Sequence, residues 1–243
     1  MTGNITHSTS QFIQPANEEI LIETFDDVDV LVRPVLFDEY CPLDGQFAKI
    51  LKRTFDLTFT LLAFVFVLWW LIPLFALLVK LSSKGPVFFI QTRTGMHNEP
   101  FLCIKFRSMY VNEHAHLKHA TRNDTRVTPI GYFLRKFSLD ELPQFINVFL
   151  GQMSIVGPRP LMLKHTEQYA QQMDSFMVRH RVKPGITGLS QIKGYRGEMH
   201  DNRMLRNRLK FDLFYLAKWN LFLDTVIIIK SLKLMLFGDD NAY

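Results

Sequence analysis

Cysteine is nearly absent: Cys41 and Cys103 are the only two in 243 residues. Two cysteines cannot build a disulfide framework, and their spacing matches no zinc pattern. A reducing, cytoplasmic setting for the water-facing part is the simplest reading. The chain also lacks a P-loop and a dinucleotide-binding fingerprint, which removes the commonest phosphate-cradling loops from consideration. No internal repeat or low-complexity tract is visible. Long apolar runs are scarce too. The hydrophobic share is an ordinary 48%, and a single segment reads as membrane-like. The length suits one catalytic domain with a short extension.

That segment is residues 57–79, LTFTLLAFVFVLWWLIPLFALLV, which holds no charged side chain. About 20 apolar residues are long enough to cross a bilayer. The run begins too far inside the chain, and lacks the cleavage pattern, for a signal peptide. Pro73 interrupts it, removing a backbone donor and favouring a kink. Lys49, Lys52 and Arg53 precede the run, and Lys80, Lys84 and Arg93 follow it. Positive residues collect on the cytoplasmic side, so a helix that enters, bends at Pro73 and returns to the same face satisfies both flanks. A kinked span is the alternative. A buried core helix is the minority outcome at this length.

The net charge is +5 and the isoelectric point near 9.2. That balance points to an anionic partner: a phospholipid surface, a phosphorylated substrate or nucleic acid. The apolar run argues against nucleic acid.

Residues 135–160, RKFSLDELPQFINVFLGQMSIVGPRP, are the most informative about chemistry. Asp140 and Glu141 are adjacent, with Arg135, Lys136 and Arg159 around them. Neighbouring carboxylates repel, and one is driven to keep a proton unless cations or a metal lie close. Such a pair beside fixed positive charge can divide into a nucleophile and a metal ligand or base. The plainer reading is a helix capping box, Ser138-x-x-Glu141. Pro143 complicates that cap, because it would be the fifth helical residue and its ring would crowd the carbonyl four back. If Pro143 stands near the first helical position instead, both carboxylates lie just ahead of the helix. In either arrangement the helix dipole favours an ionised Asp140.

Along the rest of the chain, residues 1–45 read as a polar, loosely ordered extension with a short strand at Val28–Val35. A helix is expected from about Lys49 to Ser83. Short strands are expected at Val87–Gln91 and Phe101–Arg107, joined by a turn at Gly95–Pro100. Asn112–Ala120 reads as a polar helix. Thr128-Pro129 is a helix start, cap then proline, running to about Phe137. A second helix reaches Leu150, with Gly151 as terminator. Gly157–Pro160 is a rigid turn, Leu161–Val182 a helix, and Pro184–Gly188 a loop. Asn202–Phe237 is helical and amphipathic, able to lie at an interface or to pack as core.

Six motifs in order resemble one family. They are the basic-flanked apolar helix with its central proline, Gly85–Phe89, Lys105–Met109, Ser138–Gln144, Ser154–Pro160 and Lys183–Gly188. Together they cover about residues 46–243 and resemble the bacterial sugar transferases, the monotopic phosphoglycosyl transferases. The ending Asp240–Tyr243 is similar to the branch that loads hexose phosphates for exopolysaccharide or capsule synthesis.

The resemblance implies an α-helix-rich α+β fold. A compact catalytic domain, residues 85–243, sits on a re-entrant membrane helix, residues 46–84, broken at Pro73, with amphipathic interfacial helices. It implies transfer of a sugar-1-phosphate from a UDP-sugar to polyprenyl phosphate, releasing UMP, through a phosphosugar–enzyme intermediate and with Mg2+. Asp140 would be the nucleophile, and Glu141 would help hold the metal with it or activate the lipid phosphate. Lys105, Arg135 and Arg159 would hold phosphate oxygens, with Arg107 and Arg196 as weaker candidates near the nucleotide. The expected location is the bacterial inner membrane, with the catalytic domain on the cytoplasmic face against an anionic surface. A homodimer is one option left open.

Three departures from the family pattern stand out. Ile72 replaces a serine found before the proline in some members. Leu189-Ser190 stand where Trp-Ala is common, and Lys193 where Asn is frequent. With Ile72 another group must satisfy the backbone freed at the proline, whereas the other two bear on which sugar is used more than on the chemistry. His114, His116 and His119 crowd one short stretch without a zinc pattern and read as a solvated helix face, and Asp124–Arg126 reads as an ion pair or surface turn. Two rivals remain: a non-catalytic membrane-bound interaction module, which leaves the Asp-Glu pair unexplained, and another membrane nucleotide-sugar transferase, which would release UDP.

Overall fold

The computed structural model describes residues 41–111, 124–197 and 201–237. The chain divides into two units, Met1–Val35 and Leu36–Tyr243, and every described residue lies in the second. The Val28–Val35 strand, the Asn112–Ala120 helix with its three histidines and the Asp240–Tyr243 ending fall outside the described residues.

The apolar run forms one helix, Gln46–Ser82. It is α-helical over α1 (Gln46–Ala63) and α2 (Trp69–Ser82), with a π-helical turn, Phe64–Leu68, between them. The helix is not interrupted at Pro73, which lies inside α2. Pro73 cannot donate to the carbonyl of Trp69, and its ring crowds that carbonyl. A widened turn just upstream relieves such crowding without ending the helix. The helix is long and apolar enough to cross a membrane, and only 17% of its most apolar window is buried. Phe66, Trp69 and Leu81 stand more than half exposed, which excludes a soluble core helix and suits a hydrocarbon surrounding. The opposite side, Leu68, Phe75 and Val79, packs on Phe106, Leu134, Leu139 and Leu142. The apolar helix thus carries the segment that holds the two carboxylates.

The flanking charges have structural partners. Lys52 Nζ lies 3.2 Å from Asp56 and 2.8 Å from Asp224, and all three are buried. Arg53 donates to the carbonyls of Val148 and Phe149 at 2.6 and 2.8 Å, capping a helix C-terminus. Asp56 also accepts from Ser154 Oγ and the Ile155 amide at 3.0 and 3.1 Å. The membrane-type helix is therefore fastened to the domain by buried polar contacts as well as by packing.

Strands β1 (Phe88–Thr94) and β2 (Pro100–Phe106) form an antiparallel hairpin, with Phe88 opposite Phe106 and Thr94 opposite Pro100. Phe101, Cys103 and Phe106 of β2 turn inward. Thr128 caps α3 (Pro129–Lys136), its hydroxyl accepting from the Gly131 amide at 2.9 Å. The expected second helix is shorter: a 3-10 turn, Leu139–Glu141, precedes α4 (Gln144–Phe149), and Gly151 beyond it has φ 81°. Strands β3 (Ser154–Val156) and β4 (Gly185–Thr187) pair in parallel, where only a turn and a loop were expected. Periodicity cannot reveal three-residue strands. Their glycines explain the pairing: a Cβ on Gly157 would lie 2.5 Å from the Lys183 carbonyl, and one on Gly185 2.1 Å from the Gly157 amide.

The crossover contains α5 (Leu163–Gln172) and a 3-10 helix, Asp174–Arg181, where one helix was expected. After α6 (Leu189–Ile192), the final helical stretch is two helices, α7 (Asn202–Lys218) and α8 (Leu221–Phe237). Leu205, Leu209, Leu213 and Leu216 of α7 are buried, so α7 is core rather than interfacial. In α8, Phe222, Leu236 and Phe237 are largely exposed, which keeps the interfacial reading for that helix. Cys41 and Leu43 are buried in the main core. The folded unit therefore takes in residues 41–45, which the sequence assigned to the extension.

Candidate active site

The 3-10 turn Leu139–Glu141 sets the two carboxylates ahead of α4, whose N-cap is Pro143. The capping box does not form. Ser138 adopts left-handed backbone angles, φ 57° and ψ 18°, and makes no cap hydrogen bond. A serine held there is strained by roughly 1–3 kcal/mol, a cost that concentrates at functional turns. Its hydroxyl instead accepts a hydrogen bond from Arg196.

Glu141 lies at the centre of a cation cluster. Lys105 Nζ and an Arg159 guanidinium nitrogen each lie 2.8 Å from Glu141 Oε1. The second Arg159 nitrogen is 3.3 Å from Oε2, and Arg196 reaches Oε2 at 3.3 Å. Burial alone would raise the Glu141 carboxyl, but Arg159, Lys105 and Arg196 hold it well below the usual carboxylate range. Burial pulls the Lys105 ammonium down, against the attraction of Glu141.

Asp140 differs. It is buried, and its carboxylate makes no hydrogen bond or ion pair among the described residues. Burial is the largest influence on it and raises its carboxyl, with Lys105 acting against that and Glu141 adding to it. This corrects the expectation that neighbouring arginines and a helix dipole lower the Asp140 carboxyl. Arg135 and Arg196 do act in that direction, yet desolvation and the adjacent carboxylate prevail.

Of the expected phosphate-binding residues, Lys105, Arg159 and Arg196 meet at Glu141, and Arg135 is near enough to influence Asp140. Arg107 does not join them. It is buried and donates to the carbonyls of Val79, Ser83 and Lys84 at 3.4, 2.7 and 3.1 Å, capping the C-terminus of α2. A cation at that end of a helix meets unpaired carbonyls and the negative pole of the dipole. The Asp124–Arg126 pair, 2.6 Å apart, is a local turn.

Two positioning residues escaped the sequence reading. Gln191 Oε1 accepts from Arg159 at 2.9 Å. Arg179 donates to the Arg159 carbonyl at 2.9 Å while paired with Asp212 at 2.7 Å. Gln191 lies inside the 189–193 stretch that departs from the family pattern, but no sequence signal marked Arg179. Ser190 donates to Asp212 at 2.7 Å and Leu189 packs in the core, so these two departures face inward.

Among the described residues no group of three or more His, Cys, Asp or Glu side chains could hold a metal. Asp140 and Glu141 supply two carboxylates, one of them unpaired. Two carboxylates suit a magnesium ion that draws its other ligands from phosphate and water, and would not suit an ion needing a full protein cage.

An open cleft reaches this cluster. Its charged end is formed by Glu141, Arg196 and Ser138, and its walls by Phe59, Phe145, Ile228 and Leu232 among others.

The description "Bacterial sugar transferase" fits residues 47–238. The UDP-glucose:undecaprenyl-phosphate glucose-1-phosphate transferase of Escherichia coli (strain K12) is 50% identical over 188 residues, covering 77% of this chain and 40% of that protein. The protein of the same description from Klebsiella pneumoniae is 47% identical over 194 residues, 79% of this chain and 41% of its own length. The undecaprenyl-phosphate galactose phosphotransferase of Salmonella typhimurium is 35% identical over 212 residues, 81% and 42%. The match therefore covers about two fifths of each of these relatives.

Proposed function

The chain belongs to the bacterial sugar transferase family, and on that premise we propose that it moves glucose-1-phosphate from UDP-glucose to a polyprenyl phosphate and releases UMP. The observation that carries this reading is the division of labour between adjacent carboxylates. Glu141 is locked among three cations, while Asp140, buried beside them, has no hydrogen-bond or ion-pair partner among the described residues. The choice of glucose rests on the names of the more similar relatives, with galactose named at lower identity.

The reaction needs two displacements at one phosphorus. An Asp140 oxygen attacks the sugar-proximal phosphorus of UDP-glucose, the bond to the bridging oxygen breaks, and UMP leaves with that oxygen. A phosphate oxygen of the acceptor then attacks the same phosphorus, the bond to Asp140 breaks, and the carboxylate is restored. Lys105, Arg159 and Arg196 offset charge on the phosphoryl oxygens, which is the main catalytic need in such transfers. Glu141 holds those cations in place until the pyrophosphate arrives to share them. Asp140 and Glu141 are the carboxylates that would hold magnesium, whose charge offsets that of the pyrophosphate.

The apolar helix seats this chemistry at a membrane, and its re-entrant course, with the domain on the cytoplasmic face, is part of the proposal. The decisive assay combines purified protein, polyprenyl phosphate and a panel of UDP-sugars. UMP release that is greatest with UDP-glucose and abolished by chelator is expected. Release of UDP would instead mark a conventional glycosyl transferase.

A further inference from the structure

We propose that the cleft beside Glu141 receives the first isoprene units of the acceptor lipid, with Arg196 taking its phosphate. This rests on the transfer reading above and adds to it where the second substrate binds.

The cleft has the polarity of an amphiphile. Its charged end presents Glu141 and Arg196, and Asp140 is absent from the lining. Away from that end the walls are Phe59 of the membrane-type helix, Phe145 of α4, and Ile228, Leu232 and Met235 of α8. The last three recur at helical spacing and so share a face. Three polar side chains lie on the wall, and all are engaged: the Thr187 and Ser231 hydroxyls are hydrogen-bonded to each other, and the Gln191 amide accepts from Arg159 and donates to the Ile186 carbonyl. Their engagement removes a demand for polar ligand groups in this stretch. A uridine or a sugar needs several donors and acceptors, and these walls offer almost none. A prenyl chain needs none.

The charged end explains how the phosphate is received. Arg159 and Lys105 sit 2.8 Å from Glu141, whereas Arg196 stands at 3.3 Å. Arg196 makes the longest of the three ion pairs, and it alone of the three cations lines the cleft. An arriving phosphate monoester meets Arg196 first, and can share a guanidinium whose ion pair to Glu141 is the longest of the three. The tail then leads from the reacting carboxylates to the helices whose outer faces are apolar and exposed, so the acceptor can react without leaving the bilayer.

The test uses the full chain in nanodiscs and a short prenyl phosphate carrying a diazirine, irradiated without UDP-sugar and mapped by peptide mass spectrometry. Label is expected on the 228–235 segment and on the segments holding Phe59 or Phe145. It should be suppressed by undecaprenyl phosphate and not by phosphatidylglycerol. Label confined to exposed residues such as Phe66 and Phe237, or displaced equally by phosphatidylglycerol, overturns the proposal. A kinetic arm uses Leu232→Trp, which narrows the cleft. The acceptor KM should rise about tenfold, equivalent to 1.4 kcal/mol, with the UDP-glucose KM unchanged; equal rises in both count against the assignment. Because labelling needs no turnover, specific label with no UMP release in the assay above would reject the transfer reading and leave the cleft assignment standing.

Discussion

Glu141 commits both carboxylate oxygens to Lys105, Arg159 and Arg196, while Asp140 commits neither among the described residues, and that contrast sets the residue-scale expectations. Asp140→Asn keeps the shape and should fold normally, yet form no phosphosugar adduct when wild-type protein gains one from UDP-glucose alone. An adduct on the Asn variant, or one mapped to Glu141, would sink the nucleophile assignment. Arg159→Gln removes one charge-assisted donor and should slow UMP release by about 10²–10³-fold, the usual effect of losing one transition-state donor. Because burial and Glu141 raise the Asp140 carboxyl, the metal-free protein should show a protonation limb for Asp140 above the ordinary carboxylate range, read by infrared titration of the carboxyl band against Asp140→Asn. Arg135 acts to lower that carboxyl, so Arg135→Gln should move the limb to higher pH.

His180 offers a separate pH test. It is buried, neither ring nitrogen has a hydrogen-bond partner among the described residues, and burial together with Arg179 lowers it to about 3. A histidine near 6.5 when unfolded and near 3 when folded binds fewer protons in the native state. Its stabilising effect is complete above the unfolded value and is lost as pH falls from about 6.5 toward 3. His180→Phe should shift the acid-unfolding midpoint, followed by fluorescence in detergent, to lower pH. An unchanged midpoint would show that other groups govern acid unfolding.

Helix ends explain most of what separates expectation from structure at the element scale. Arg53 and Arg107 look from the sequence like a flanking charge and a nucleotide ligand. Both cap helix C-termini, of α4 and α2. Lys52, likewise read as a topology signal, lies in a buried cluster with Asp56 and Asp224. Lys52→Met leaves two buried carboxylates without their cation and should destabilise the protein by about 3–5 kcal/mol, read as a lowered thermal midpoint in detergent. With Lys52 and Arg53 so engaged, the positive-flank argument for a re-entrant course leans on Lys49, Lys80 and Lys84. An impermeant reagent applied to intact cells should then label neither a cysteine at residue 10 nor one in the catalytic domain. Labelling of residue 10 alone would establish a full crossing.

For the whole molecule, the boundary of the extension can be tested by truncation. Cys41 and Leu43 are core residues, and Asp44 pairs with Arg181. Removal of residues 1–40 should leave UMP release intact, whereas removal of residues 1–45 should lower stability as well. If both truncations behave alike, residues 41–45 contribute nothing to the fold.

The sequence by itself determined the apolar helix, the β1–β2 hairpin, the Thr128 cap and the adjacency of Asp140 and Glu141, because each depends on residues close in the chain. Periodicity, turn chemistry and capping are local, and local physics leaves a local signature. The resemblance implied Lys105 and Arg159 as phosphate ligands and Arg196 as a weaker candidate near the nucleotide; that these three, up to 91 positions apart, meet at Glu141 is a matter of tertiary structure. Tertiary structure alone decided which carboxylate is locked and which is left unpaired. It also decided that Arg107 caps a helix, that β3 pairs with β4, and that an apolar cleft opens beside the charge cluster. Desolvation and ion pairing depend on what surrounds a group in space, and at Asp140 that surrounding overrode the charges written next to it in the sequence.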